Sequence, residues 1–224
     1  MARTIYKYID REWVESCLRG QIRVRSLSNY RQLEKTNPLG DPLDGTLLNS
    51  PDGGLEITNQ TQGWKRIIPR WGFKSTLKQT EEILVFCASL RLDERLPLRF
   101  QKDACVAIRD RAEFSNRMRR AMGPLVRNPA TFRALPVNYY DEKNPPGVAW
   151  AIPEMILMSK RRHPFETEAE FRLACGPTSA FQFEGANYEL VIGDLVQQPS
   201  PTTNREHDLD LGDLRHICSV THFR

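Results

Sequence analysis

Residues Glu82–Leu90 read Glu-Ile-Leu-Val-Phe-Cys-Ala-Ser-Leu, a continuous apolar run rich in β-forming side chains. A run of this length without polar alternation is a strand buried on both faces, so the fold has to supply a sheet covered on both sides. The chain of 224 residues is long enough to bury a substantial core. No apolar stretch approaches the roughly 20 residues that span a bilayer. The opening Met-Ala-Arg-Thr-Ile-Tyr-Lys-Tyr lacks the apolar middle of a signal peptide. These features predict a cytoplasmic protein with no membrane segment.

The other elements follow from periodicity and turn chemistry. Residues 3–9 predict an opening strand, with Ile5, Lys7 and Ile9 on one face and Tyr6 and Tyr8 on the other. Asp10 is placed to cap a helix carrying Trp13, Val14, Cys17 and Leu18 at helical spacing, and Gly20 ends it. Gln21–Arg25 is a second strand, followed by the polar turn Ser26–Arg31 with Ser28 or Asn29 as a helix cap. Thr46–Leu48 and Leu55–Thr58 predict a hairpin around Pro51–Gly54, with Trp64–Ile68 as a third strand. Ala104–Ile108 is a strand. Arg111–Met122 is a helix with Ala112, Phe114 or Ser115, Met118 and Met122 inward, stopped by Pro124 and Pro129. Ala134–Tyr140 is a strand, Asn144–Gly147 a turn and Pro153–Ser159 a short helix. Phe181–Phe183, Tyr188–Ile192 and Leu214–Val220 are further strands, and residues 197–213 form a polar loop. About eight or nine short strands and three or four helices without regular alternation make an α+β chain of mixed, mostly antiparallel sheets. It reads as a single domain over 1–224, with a core over about 3–195 and no repeat or clear linker.

Several chemistries lack their usual residues. The five cysteines include no CxxC and no Cys/His pair at zinc spacing, so no metal site of that kind is expected. Cys87, Cys105 and Cys175 lie in apolar strand-like runs, where a reduced thiol acts as a small hydrophobe. There is no GxxxxGK[ST], no GxGxxG after a strand and no GxSxG. Net charge is only +4, but seven arginines fall between Arg109 and Arg133 against Asp110 and Glu113, and Lys160–His163 adds a second basic cluster. Such clusters attract phosphate or simply solvate a helix face, and no aromatic side chains interleave them to stack bases.

What remains are polar clusters on otherwise apolar elements. In Glu166–Ala174, Glu166, Glu168, Glu170 and Arg172 share one parity, and Thr167, Ala169, Phe171 and Leu173 the other. A strand there lines up three carboxylates and a guanidinium roughly 7 Å apart on one face. Carboxylates so placed raise one another's pKa and the arginine lowers it, a tension common at sites that do chemistry. The same pattern also suits a strand facing water. Tyr6-Lys7-Tyr8 suits an anion or an edge strand blunted by lysine. Ser26-Leu-Ser-Asn-Tyr-Arg31 offers hydroxyl, amide and aromatic groups, or a helix cap. Asp41 and Asp44 in Gly40–Gly45 suit a ribose or Asx turns.

The order of these motifs resembles a widespread bacterial group of uncharacterised domains, over residues 5 to about 175. Its members open with Tyr-His-Tyr or a near relative, and close with Lys…Glu-x-Glu-Tyr/Phe-Arg. Here the matching residues are Tyr-Lys-Tyr, Gln21–Arg31, Gly-Asp-Pro-Leu-Asp-Gly, Pro-Val-Asn-Tyr-Tyr, Lys160 and Glu-Ala-Glu-Phe-Arg. That layout is similar to ADP-ribosyltransferases. The resemblance implies an ADP-ribosyltransferase-like fold and NAD as the bound dinucleotide. It implies Lys7 where those enzymes hold NAD with Arg or His, and Ser26 and Ser28 as the Ser-x-Ser element. Tyr30 becomes the nicotinamide stacker, Glu168 and Glu170 the catalytic pair, and Arg172 a further cofactor-side residue. For such transferases it also implies a role in conflict between bacteria and phage. The lysine departs from the family pattern, since it holds phosphate only as a point charge, and Ser-x-Ser comes early. The acceptor is open: protein, nucleic acid, a small molecule or water. Two other classes compete. One is a nuclease in which Arg109–Arg133 binds phosphate and Glu168, Glu170 and Asp41 or Asp44 hold a metal. The other is a module whose acidic strand binds a protein.

Overall fold

The structure is a computed structural model, and it describes residues 4–33, 40–144, 152–190 and 203–223. Its strands are β1 (Ile5–Ile9), β2 (Gln21–Ser26), β3 (Thr46–Asn49), β4 (Leu55–Asn59), β5 (Trp64–Ile68), β6 (Trp71–Leu77), β7 (Leu84–Ser89) and β8 (Ala104–Ile108). They continue with β9 (Ala130–Pro136), β10 (Asn138–Tyr140), β11 (Ser159–Arg161), β12 (Glu170–Pro177), β13 (Phe183–Leu190), β14 (Glu206–Asp210) and β15 (Cys218–His222). The helices used below are α1 (Val14–Leu18), α2 (Leu27–Leu33), α3 (Arg95–Phe100), α4 (Arg111–Met122) and α5 (Pro153–Leu157). The fold is α+β and mostly antiparallel. No helix among the described residues is long and apolar enough to cross a membrane.

The apolar run becomes β7, and the main sheet is built around it. The strands run β14-β2-β7-β1-β8-β15, with β12 also on β7 and β9 on β12. Alternate residues of β7 enter two cores. Leu84, Phe86 and Ala88 pack with Ile5, Val24, Val106, Phe171 and Leu173 beneath α4. Val85 packs on the other face with Leu27, Leu47, Leu77, Leu157 and Ala174. Fully burying each Leu, Val or Phe contributes about 1.5–3 kcal/mol, which anchors this strand in place. The α4 helix occupies its expected span. Asp110 caps it by accepting the Glu113 N–H at 2.9 Å, and Phe114, Met118 and Met122 face inward. Ala112, expected inward, is exposed.

One edge of β7 is fully paired with β12, from Leu84↔Cys175 to Ser89↔Glu170. The opposite edge is shared. β2 pairs there only at Leu84 and Val85, and β1 only at Ser89. Beyond those contacts β2 leaves with β14 and β1 with β8. The sheet therefore forks along Phe86–Ala88. The connection from β1 through α1 to β2 spans the open end of the fork.

Several expectations change. β3 pairs with β6, a strand not foreseen, and β4 pairs with β5, so the hairpin expected between Thr46–Leu48 and Leu55–Thr58 does not form. The tighter turn at Asn59–Gly63 joins β4 to β5 instead, with Asn59 Oδ1 accepting the Gln62 N–H and Gly63 at φ +70°. Ala134–Tyr140 divides into β9 and β10 at Val137, whose N–H turns to the Glu170 carbonyl at 2.8 Å. Residues 197–213, expected as loop, contain β14, which completes one edge of the main sheet on β2. The final strand is Cys218–His222 instead of Leu214–Val220. In place of separate strands at Phe181–Phe183 and Tyr188–Ile192 there is one, β13, which starts only at Phe183. Residues 191–192, 197–202, Arg3 and most of the Asn144–Gly147 turn lie outside the described residues.

The acidic stretch is not one strand. Glu166–Glu168 is a 3-10 turn, Ala169 takes a left-handed conformation at φ 44°, and β12 starts only at Glu170. The face of four charged residues therefore does not exist. Every residue of β12 is buried, so this strand does not face water.

Candidate functional site

The charges of this region are brought together by the turn that breaks the strand. Glu170 and Arg172 sit on the β12 face that also carries Ala174, towards the second core. Arg172 has no solvent exposure. Its Nε donates to Glu170 Oε1 at 2.8 Å, and its other nitrogens reach Asp44 Oδ1 at 2.7 Å, Asp44 Oδ2 at 3.0 Å and the Leu157 carbonyl at 2.7 Å. Lys160, on β11, places Nζ 2.7 Å from Glu170 Oε2 and 3.5 Å from Glu168 Oε2. Glu168 Oε1 accepts from Arg99 of α3 at 2.9 and 3.2 Å. Glu168 thus reaches the same cluster from the turn, although it is not on the strand.

These contacts fix the ionisation states. Burial opposes the charge on Glu170, but Arg172 and Lys160 outweigh it and hold the carboxyl well below the usual range. Burial likewise opposes the charge on Lys160, and Glu170 and Glu168 restore it, so its pKa rises well above normal. The Cys87 thiol lies beside Glu170 in the same lining, and its pKa is pushed up to about 12, chiefly by burial. The Glu170 N–H donates to the Tyr139 hydroxyl at 2.8 Å. Asp44 is committed to Arg172, while Asp41 closes an Asx turn by accepting the Leu43 N–H at 2.9 Å. Asp41 is raised to about 6 by burial and by Asp44.

The fork in the sheet holds a different kind of charge. Lys7 lies on the β1 face of Ile5, opposite in parity to Glu170: Tyr6 and Glu170 both pair with Ser89, so those two share a face and Lys7 does not. Because the sheet is open beside Phe86–Ala88, the lysine side chain passes into the gap. Its Nζ donates to the Cys87 carbonyl at 2.8 Å and lies 4.7 Å from the Phe86 ring centroid. Burial lowers its pKa.

Two contiguous cavities fill the fork. One, of about 120 Å³, is lined by Lys7, Tyr30, Cys87, Lys160, Glu168 and Glu170 among others. The other, of about 410 Å³, extends past Trp13, Ser16 and Arg23 under α1. Lys7, Tyr8, Arg25 and Tyr30 line both. Their cations are mostly neutralised: Arg25 by Glu206 at 2.9 Å, Arg23 by Asp208 at 2.8 Å, Lys102 by Asp10 at 2.7 Å. Among the described residues, Lys7 is the cation of this lining with no carboxylate partner.

Of the residues singled out in the sequence, Lys7, Tyr30, Glu168 and Glu170 therefore share one cavity. Arg172 lies behind Glu170, out of the cavity. Ser26 and Ser28 are buried and line neither cavity. Their hydroxyls are 2.8 Å apart, and Ser26 Oγ accepts the Arg205 N–H at 3.0 Å, tying the β2–α2 corner to the chain before β14. The helix starts at Leu27, ahead of the expected caps. Asp10, also expected as a cap, makes no such bond and pairs with Lys102. Lys160 is not part of a surface basic cluster; it is the buried counter-ion of the two glutamates. Arg99, Cys87 and Tyr139 also belong to this cluster, and sequence reasoning does not find them there. Tyr139 lies in the Pro-Val-Asn-Tyr-Tyr motif, but nothing local marks Arg99. Among the described residues no three His, Cys, Asp or Glu side chains are grouped to hold a metal ion. No family model, curated protein or solved structure matches the chain.

Proposed function

We propose that this chain is an ADP-ribosyltransferase-like enzyme that takes NAD into the forked sheet and breaks its nicotinamide–ribose bond beside Glu170. The observation that carries this reading is the shared cavity, where an unneutralised lysine, a half-buried tyrosine and a glutamate held ionised by Arg172 and Lys160 face one space. Pockets of ~300–1,000 Å³ hold ligands of this class, and the larger cavity falls in that range. Lys7 is suited to the diphosphate, since a half-buried ammonium hydrogen-bonded only to a carbonyl gains from an incoming anion. Tyr30 lines the same wall, while Tyr8 beside it is already stacked on Phe223.

In the reaction the C1′–N bond breaks, its electron pair leaves with nicotinamide, and positive charge develops on the ribose. A fixed carboxylate stabilises that charge most when it needs no reorganisation. Glu170 fits that role because Arg172 and Lys160 hold it ionised and immobile. With both oxygens bonded it still has lone pairs for a ribose hydroxyl, as a carboxylate accepts at about four sites. It is unsuited to carry a proton near neutral pH. Glu168, gripped by Arg99 and Lys160, positions the lysine. The metal-nuclease alternative fares worse on the same contacts, because Glu168, Glu170 and Asp44 are each already paired with a cation.

Calorimetry with NAD, and nicotinamide release measured in chelator, test the reading. The wild-type chain is expected to bind NAD and release nicotinamide without divalent metal. Glu170→Gln is expected to keep NAD binding and slow release by about 10²–10³-fold, the usual effect of removing one group that stabilises the transition state. Absence of binding heat with both NAD and ADP-ribose in the wild type ends the proposal.

A further inference from the structure

A separate basin of about 780 Å³ opens on the other side of Glu170. Its lining includes Tyr6, Arg91, Tyr139, Arg162 and Glu170, so it meets the nucleotide cavity at Tyr6 and Glu170. From this geometry we infer that the basin seats the acceptor, and that the acceptor is a single-stranded polynucleotide. The inference rests on the transferase reading for its chemistry but not for its binding.

Three observations carry it. First, position: an acceptor must reach the ribose from the side opposite the departing nicotinamide, and the basin is the second space that Glu170 borders. Second, charge: Arg91 is exposed, and its guanidinium has no hydrogen bond or ion pair among the described residues. Among the described residues Arg162 pairs only with Glu166, which lines the same basin, at 3.8 Å with both side chains more than half exposed, a pairing that contributes little. Third, rings: Tyr6 and Tyr139 are half-buried in the same wall. A strand of nucleotides supplies a phosphate for each guanidinium and a flat base for each phenol, the combination that single-strand binders use. An acidic peptide supplies only the first. In the transfer, a nucleophilic atom of the acceptor bonds to C1′ as nicotinamide leaves with the bonding pair, and the acceptor's proton passes to water.

The test uses the full chain with a labelled single-stranded DNA of mixed sequence, about 12 nucleotides long to match the site sizes of single-strand binders. An RNA of the same sequence and a glutamate-rich peptide serve as competitors. Fluorescence anisotropy is expected to show binding of at least one oligonucleotide. The double variant Arg91→Glu, Arg162→Glu, altered only at exposed side chains, is expected to bind at least tenfold more weakly. Its log K against log salt should be shallower by about 0.7 for each phosphate that it no longer neutralises. Wild type that binds neither oligonucleotide, a double variant that binds equally well, or a peptide that competes as strongly as the oligonucleotides would each overturn the inference. NAD calorimetry on the wild type is read separately. Oligonucleotide binding that depends on Arg91, in a chain that shows no heat with NAD, keeps the basin and discards the transferase.

Discussion

The cluster behind β12 and the fork beside β7 both hold cations inside the fold, fully buried in the first and half-buried in the second, and they treat them in opposite ways. Arg172 and Lys160 are out of solvent, and each meets at least two oxygen partners, so desolvation is offset within the fold. Lys7 is half-buried, yet one peptide carbonyl is its hydrogen-bond partner. The paired set builds rigidity around Glu170. The unpaired lysine is a charge the fold leaves partly unsatisfied, and the proposed reading places the dinucleotide's diphosphate there. A cation inside the fold therefore reads as structural or ligand-directed according to its partners, not its burial.

The sharpest way to break that contrast is Arg172→Met. It leaves Glu170 and Asp44 buried without their guanidinium, so a loss of about 3–5 kcal/mol is expected in urea unfolding. Adding Asp44→Asn is expected to recover part of it, as contacting partners are not additive. A loss no larger than an ordinary surface change would show that the cluster is not structural.

Lys7→Met is expected to do the reverse. Removing a charge with no counter-ion leaves stability unchanged or higher, while NAD affinity falls at least tenfold, about 1.4 kcal/mol. A pH series sharpens this. The folded pKa of Lys7 lies below its ordinary 10.5, so between the two values the unfolded chain holds a proton that the folded chain has released. Stability contributed by this group therefore rises with pH across that window, while NAD binding weakens across it. Lys7→Met should abolish both trends.

A pH effect confined to the acid range belongs to Asp41. Its folded pKa of about 6 lies above the ordinary 3.8, so the folded chain keeps a proton over that interval that the unfolded chain releases. Its contribution is fully present below the lower value and is lost as pH rises through the upper one. The slope is at most about 1.4 kcal/mol per pH unit. Unfolding midpoints of Asp41→Asn should decline less across this range than those of the wild type. An unchanged slope would mean that Asp41 is already ionised at the acid end.

The elements most legible in the sequence are those whose signal is local. β7, β8 and α4 fall where apolar runs and a 3.6-residue period place them, since burial of those faces has one local solution. β14 is illegible because Glu-His-Asp-Leu-Asp is polar, and only its edge position on β2, with Arg23–Asp208 and Arg25–Glu206 pairs, makes it a strand. The acidic stretch misleads for a related reason. Alternating parity suggests four charges on one face, but Ala169 turns the chain, and Glu168 joins Glu170 through space. For the candidate site, the residue types at Lys7, Tyr30 and Glu170 draw notice, while Ser26 and Ser28 draw it for hydroxyls that only fasten a corner. Arg99 carries no mark at all in the sequence.

The sequence alone determined that this chain has a doubly buried strand at its centre, an α+β composition and isolated charged residues inside apolar segments. Those follow from which side chains leave water, a property each residue carries with it. Tertiary structure alone decided that the sheet forks at Phe86–Ala88 and that Lys7, starting from the far face, reaches the same cavity as Glu170. Strand pairing between distant segments is set by the whole packed arrangement. Which charges end up satisfied, and which is left facing an open space, is fixed only when every partner has been placed.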